Sequence, residues 1–202
     1  MTHNCGDPNH SHDIENGIEF SLNKFIDTGL VTCLNEKVKN SVQEIFKSYE
    51  DRFDEKHFVE SCDDQELIIN IPFNAVTQLK SIIIIGGGGG SSPSRMKAYL
   101  NNDHIDFGNI TGITPTQEWQ LHEDFKGEIS YNTRITKFNN INLLTLYFPS
   151  NFGAPTTKIY YIGLKGVYTN SKREIVSTVY ESRPQLSDHK NTNQDMVSKD
   201  LM

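Results

Sequence analysis

"QLKSIIIIGGGGGSSPSRMKAYLN", residues 78–101, sets four isoleucines directly against five glycines and then returns to alternation. A β-branched run entering a glycine loop opens a nucleotide-binding strand–loop–helix unit, and it equally joins two strands through a long bend. The residues after the glycines decide between the two. A phosphate-binding loop needs a Lys-Ser/Thr pair there, to hold phosphate and magnesium, and "GGGGGSSPSR" has none. A dinucleotide fingerprint needs a helix whose first N–H groups meet the pyrophosphate. Pro93 and the alternation of Met96, Ala98 and Leu100 with polar neighbours lead instead into another strand. The glycine run is therefore expected to be a flexible loop between neighbouring strands.

Working outward, strand-like stretches recur with turn signals between them. "QELIINIPF" (65–73) is rich in β-branched residues and reaches Pro72, which has no N–H for a ladder and suits a strand end. "QLKSIIIIG" (78–86) and "RMKAYLN" (95–101) follow, then "GEISYNTRITKF" (127–138), "INLLTLYFP" (141–149), "TKIYYIGLKGVY" (157–168) and "EIVSTVYES" (174–182). One helical pattern stands among them. In "NEKVKNSVQEIFKSY" (35–49), Val38, Val42, Ile45, Phe46 and Tyr49 recur at spacings of three and four, with Asn35 as N-cap. One helix does not cover both faces of a seven-strand sheet, and helical crossovers for a parallel sheet are missing. The expected fold is all-β: an antiparallel β-sandwich of jelly-roll type with one short helix.

At 202 residues the chain is long enough to bury roughly 70% of its unfolded surface. Its 19 Lys and Arg are scattered among 26 Asp and Glu, for a net charge of −7. That argues against a nucleic-acid binder, which needs a cluster of basic residues. No stretch approaches the roughly 18 apolar residues of a membrane span. Cys5, Cys33 and Cys62 are odd in number and widely spaced, and the first twenty residues lack the apolar run of a signal peptide. The expected compartment is a reducing one, cytoplasmic and nuclear. Residues 1–16, "MTHNCGDPNHSHDIEN", and 185–202 are read as tails, and 17–184 as the folded domain.

Little in the chain carries chemistry. His3, Cys5, His10 and His12 are competent metal ligands, but the stretch that holds them has no apolar residue to frame a structural site, so no metal is expected. His57, His104 and His122 sit in polar company and join no triad signature; neither "GxSxG" nor "HExxH" occurs. Asp63-Asp64 and Glu123-Asp124 are adjacent pairs, which point opposite ways in a strand and are read as solvated turn residues. Cys33, in "LVTCLNE", is read as a buried, inert thiol; at Cys62 the neighbouring Asp63 and Asp64 disfavour the thiolate. No catalytic residue and no cofactor are assigned.

Several stretches together resemble one family. "LVTCLNE" (30–36), "FVESCDDQELIINIPF" (58–73), "LKSIIIIG" (79–86), "SPSRMKAYLN" (92–101), "RITKFNNINLLTLYFPSNFGAPTTKIYYIGLKG" (134–166) and "SDHK" (187–190) are similar to the PITH domain, the C-terminal domain of proteasome-interacting thioredoxins. The match is most specific at "NFGAPTTKIYYIGLKG". With no thioredoxin domain attached, the chain looks like the stand-alone members, whose N-terminal tail also bears histidines. The resemblance implies a β-sandwich of galactose-binding-like architecture, no known catalytic activity, and protein contacts with the 26S proteasome as named partner. Two departures stand out: the CxxC of the thioredoxin relatives is missing, and five glycines fill a loop that is polar or acidic in relatives.

At residue level the resemblance adds a match of Asp188, His189 and Lys190 to a recurrent family tail, which makes them the candidate partner-contact residues. "NFGAPTT" is read as a structural corner in which Gly153 supplies a positive φ and Pro155 fixes the bend. Three function classes are open. One is a monomeric, non-enzymatic adaptor for a large protein assembly such as the 26S proteasome. Another is a small-ligand or carbohydrate-binding module that stacks a sugar on Trp119 with Tyr99 or Tyr131. The last is a hydrolase whose site is built from distant residues.

Overall fold

The computed structural model describes residues 21–169. The expected strand at 174–182, both tails, and Asp188, His189 and Lys190 lie outside the described residues, as do His3, Cys5, His10 and His12.

Among the described residues eight strands, all paired antiparallel, build the fold: β1 Thr32–Leu34, β2 Val59–Glu60, β3 Leu67–Gly86, β4 Pro93–Leu100, β5 Gln117–Gln120, β6 Tyr131–Asn132, β7 Ile141–Asn151 and β8 Lys158–Thr169. They form a hydrogen-bonded path β2-β8-β3-β7-β4-β5, with β1 and β6 as further partners of β3. The hinge of the path is β3, 20 residues long. Its first half, Leu67 to Pro72, pairs with β7 from Leu67↔Phe148 to Pro72↔Leu143, and with β1 on its other side. Its second half pairs with β8 from Val76↔Thr169 to Gly86↔Ile159, and with β6 at Ser81 and Ile82. One strand thus runs through both layers of a β-sandwich, changing sheets at an irregularity between Pro72 and Thr77.

The expectation of two strands, 65–73 and 78–86, is corrected by this geometry. Pro72 does not end the strand. It sits where the β7 ladder is already giving way, so its missing N–H leaves no gap, and its carbonyl accepts from Asp27 N at 3.0 Å. Thr77 Oγ1 then donates to Ile141 O at 3.2 Å and restores contact with β7.

The four isoleucines divide between two cores. Ile82 and Ile84 face the main core between the sheets, beside Ile69, Ile71, Leu144, Leu146, Met96, Ile162 and Leu164. Ile83 and Ile85 face the outside of their sheet and pack with Tyr161. A strand covered on both faces reads as an unbroken apolar run, which is what 82–85 is. Each such side chain contributes about 1.5–3 kcal/mol on burial. The outside of the other sheet is covered in the same way, Ile105 and Ile110 closing over Ile68, Tyr99 and Tyr147.

Three further expectations change. The predicted helix 35–49 is absent: the segment holds a short 3-10 turn, Ser41–Ile45, and among the described residues every helical turn is of that kind. The Glu36 carboxylate takes the Asn40 N–H (2.6 Å), the Val42 N–H (3.2 Å) and the Ser41 hydroxyl (3.3 Å), and Asn40 is left-handed at φ 66°, which breaks the α-helix. Asn35 is no N-cap. It too is left-handed, and its side chain donates to Glu66 O and Asp64 Oδ1, both at 2.8 Å. Val42 and Ile45 still reach the core, whereas Val38 is 65% exposed.

The strand expected over 127–138 shrinks to β6, because Asp124 organises the chain before it. Its carboxylate accepts from Lys126 N, Gly127 N and Ile129 N at 2.7–2.9 Å. Asp124 is therefore a buried loop organiser, not a solvated turn residue.

Candidate functional site

The five glycines join the end of β3 in one sheet to β4 in the other, so the loop crosses the rim of the sandwich between sheets. It is pinned there by backbone bonds. Gly87 N donates to Lys158 O (2.9 Å) and Lys158 N to Ser91 O (2.8 Å). Ala154 N reaches Gly90 O (3.3 Å) and Phe152 N reaches Ser92 O (3.2 Å). A strand, β4, follows at Pro93, so the chain leaves the loop as a strand and not as a helix N-terminus.

Glycine is required at Gly86 for space and at Gly89 and Gly90 for their positive φ. A Cβ on Gly86 would fall 2.2 Å from Ser92 Oγ and 2.8 Å from Ser92 Cα, and Gly90 has φ +83 with Phe152 O 3.1 Å from its Cβ position.

"NFGAPTT", the β7–β8 connection, lies directly against this loop. Asn151 fastens it from within: its side-chain amide donates to Ala154 O (2.9 Å) and Thr156 O (3.0 Å), and its Oδ1 accepts from Gly153 N (2.9 Å). Gly153 has φ 114°, as its place in the motif requires. Thr157, fully buried, donates from Oγ1 to Gln65 O (2.6 Å), and its N–H donates to Ser61 Oγ (2.8 Å). The loop is a structural corner that holds the glycine turn.

Beside the glycine turn opens a cleft of about 310 Å³, lined by Arg52, Phe53, Glu55, Ile85, Gly86, Gly88, Phe125 and Tyr160. Phe53 and Phe125 come from separate surface turns and are 53% and 52% exposed. Tyr160 enters because it is the extra residue of a bulge, where Ile85 pairs with Tyr161 and Gly86 with Ile159. Arg52 lies flat over two rings, 3.9 Å from the Tyr49 centroid and 4.0 Å from that of Phe53. Its Nη1 donates to Tyr49 O (2.7 Å) and its Nε to Lys126 O (3.2 Å), which ties the Phe53 turn to the Phe125 turn.

Lys47 anchors the Phe53 turn from behind, donating to His57 O (2.7 Å) and Asp54 O. Burial holds the Lys47 amine below its usual range despite the acids around it. The Asp54 carboxyl is lowered by its hydrogen bond to His57 Nδ1 at 2.6 Å. Sequence reasoning passed over this cleft, because its aromatics meet only once the chain has folded.

The remaining sequence candidates fall in other places. Tyr99 and Tyr131 are buried, and Trp119 packs on Phe138 and donates its indole N–H to Asn132 O at 3.0 Å. Tyr99 and Tyr131 therefore present no ring face to solvent, whereas Trp119 stays partly exposed. Burial, reinforced by Glu36, pushes the Cys33 thiol far up, and a hydrogen bond with Asp63 raises that of Cys62. No group of His, Cys, Asp and Glu among the described residues is arranged to hold a metal ion. No described helix is long and apolar enough to cross a membrane.

The two-layer architecture of this chain, with loops closing its rims, is that of an antiparallel β-sandwich. Its fold is similar to that of the CBM32-1 and CBM32-2 domains of Clostridium perfringens ZmpB in complex with GalNAc, with a TM-score of 0.55, 10% identity, and coverage of 74% of this chain and 36% of that one. It is also similar to the family 32 CBM of C. perfringens NanJ in complex with galactose, with a TM-score of 0.52, 8% identity, and coverage of 72% and 97%.

The chain belongs to the PITH domain family, whose profile matches residues 12–184. It is 71% identical over 201 residues to PITH domain-containing protein 1 of Dictyostelium discoideum, covering 100% of both chains. To the protein of that name in Homo sapiens it is 40% identical over 177 residues, covering 87% of this chain and 83% of the relative. These relatives are named for the domain and not for an activity.

Proposed function

We propose that this protein is a non-enzymatic protein-interaction module that associates, as a monomer in the cytoplasm and nucleus, with the 26S proteasome. The observation that carries the reading is membership of the PITH family across residues 12–184; the proteasome as partner is what the resemblance to the thioredoxin-linked members implies. Two features support it. The rim loops are fixed by main-chain bonds and the buried Asn151 and Thr157, which suits a preformed surface. His57, His104 and His122 are exposed, and the polar bonds they make complete no nucleophile–base–acid chain. Asp188, His189 and Lys190 are proposed as contact residues on their match to the family tail alone.

Affinity capture from lysate at moderate salt, with a thioredoxin-linked relative as positive control, tests the reading. Recovery of proteasome subunits is expected. Recovery by the control and not by this protein overturns it. A parallel thermal-shift screen with galactose and GalNAc gives no stabilisation if the module binds proteins and not sugars.

A further inference from the structure

The 310 Å³ cleft beside the glycine turn has no role in the packing described above, and its composition is that of a contact site. Two phenylalanines, each more than half exposed, converge on it from different turns. An exposed aromatic pair costs solvation unless something covers it, and aromatic side chains with arginine carry most of the energy at protein interfaces. The third ring, Tyr160, is delivered by a bulge that turns it toward the opening. Gly88, exposed and with nothing within 4 Å of where a Cβ would stand, also lines the cleft, so a partner's backbone approaches there unobstructed.

The charge pattern selects the partner. Arg52 is engaged, donating to Tyr49 O and Lys126 O and stacked over Tyr49 and Phe53. Lys126 is paired with Glu128 at 3.9 Å. Arg52 keeps its charge, since the groups it touches are neutral, but its guanidinium is covered by rings and held by carbonyls. The Glu55 carboxylate has neither an ion pair nor a hydrogen bond among the described residues, so it is the charge left open to a partner. A chain of net charge −7 strengthens the same sign.

We infer that this cleft is a docking site for a segment of a partner protein in which a large apolar side chain stands next to a lysine or arginine. The apolar group lies between Phe53 and Phe125 over Tyr160, and the base pairs with Glu55. This rests on the proposal that the protein is a protein-interaction module, and names the surface by which it acts.

Random-peptide phage display against the purified full chain tests it, with the double variant Phe53→Ala/Phe125→Ala as counter-target. Both residues are half outside the core, and matching urea midpoints establish that the variant is folded. Enrichment of peptides carrying Phe, Trp, Leu or Met beside Lys or Arg is expected, with binding about tenfold weaker to the double variant. Glu55→Lys should abolish the preference for the base and leave the apolar requirement. No consensus, an acidic consensus, or undiminished binding to the double variant overturns the inference. The two proposals fail separately. Peptide binding at the cleft without proteasome capture removes the named partner alone; capture by wild type and double variant alike, with no peptide consensus, removes the cleft alone.

Discussion

Replacing Gly90 with alanine puts a Cβ into a residue held at φ +83, 3.1 Å from Phe152 O and 3.3 Å from Ala154 N. A left-handed conformation costs a non-glycine residue about 1–2 kcal/mol. The β7–β8 connection must also yield by a few tenths of an ångström, and the Ala154 N to Gly90 O bond runs through that contact. Against this, alanine lowers the entropy of the unfolded chain by about 0.4–1 kcal/mol. Net destabilisation of about 1–2 kcal/mol follows. Gly88 is the internal control, two residues away: a Cβ there meets nothing within 4 Å and its φ is not positive. Gly88→Ala should be neutral or stabilise by up to about 1 kcal/mol. Urea unfolding followed by the fluorescence of Trp119 reads both. With a slope of about 2 kcal/mol per molar, the two midpoints should lie about 1 M apart. Equal midpoints would show that the run is slack linker and that its packing against residues 152–154 is not a constraint.

Other outcomes follow from the same contacts. Ile82→Ala, in the fully buried centre of the sandwich, should cost about 2–5 kcal/mol by urea titration, whereas Val38→Ala, largely exposed, should stay within about 0.5 kcal/mol. Burial pushes the Tyr161 phenol up to about 12, with Tyr49 and Glu50 adding to it and Arg52 opposing. The unfolded chain then gives up this proton first. Stability from this group is full below about pH 10 and is lost as pH rises toward 12, and Tyr161→Phe should flatten that part of the profile. In a Cys5→Ser/Cys62→Ser background, the partly buried Cys33 thiol, its thiolate disfavoured, should react with a disulfide reagent at pH 8 much more slowly in the native protein than after denaturant is added; equal rates would contradict the cover the core gives it.

The sandwich was legible where side-chain pattern and packing agree. β4, β7 and β8 lie within a few residues of the stretches that announce them, because their alternation is set by the same two faces that bury them. "IIIIGGGGG" marked a strand entering a loop and Pro93 pointed to a following strand. But the loop is pinned by backbone bonds and joins strands that are not neighbours, where a flexible loop between neighbours was expected.

What was hidden depends on side chains acting on distant backbone. The helical spacing of Val38, Val42, Ile45, Phe46 and Tyr49 is real, yet three donors taken by Glu36 and a left-handed Asn40 override it. Asp124 likewise bends a β-rich stretch that sequence periodicity makes straight. β5, "QEWQ", has too few apolar residues to announce itself and is a strand because β4 is there to pair with. The cleft was the least visible of all. Phe53 and Phe125 are aromatics in polar turns far apart in sequence, and the Arg52 bridge to Lys126 O joins their surroundings.

Crosslinking mass spectrometry on the purified protein mixed with purified 26S proteasome reports partner and contact together. Lys56 and Lys126, on the turns that carry Phe53 and Phe125, should link to proteasome subunits, and excess unlabelled protein should suppress those links. Intermolecular links formed by a thioredoxin-linked relative under the same conditions, and none by this protein, would contradict the assignment.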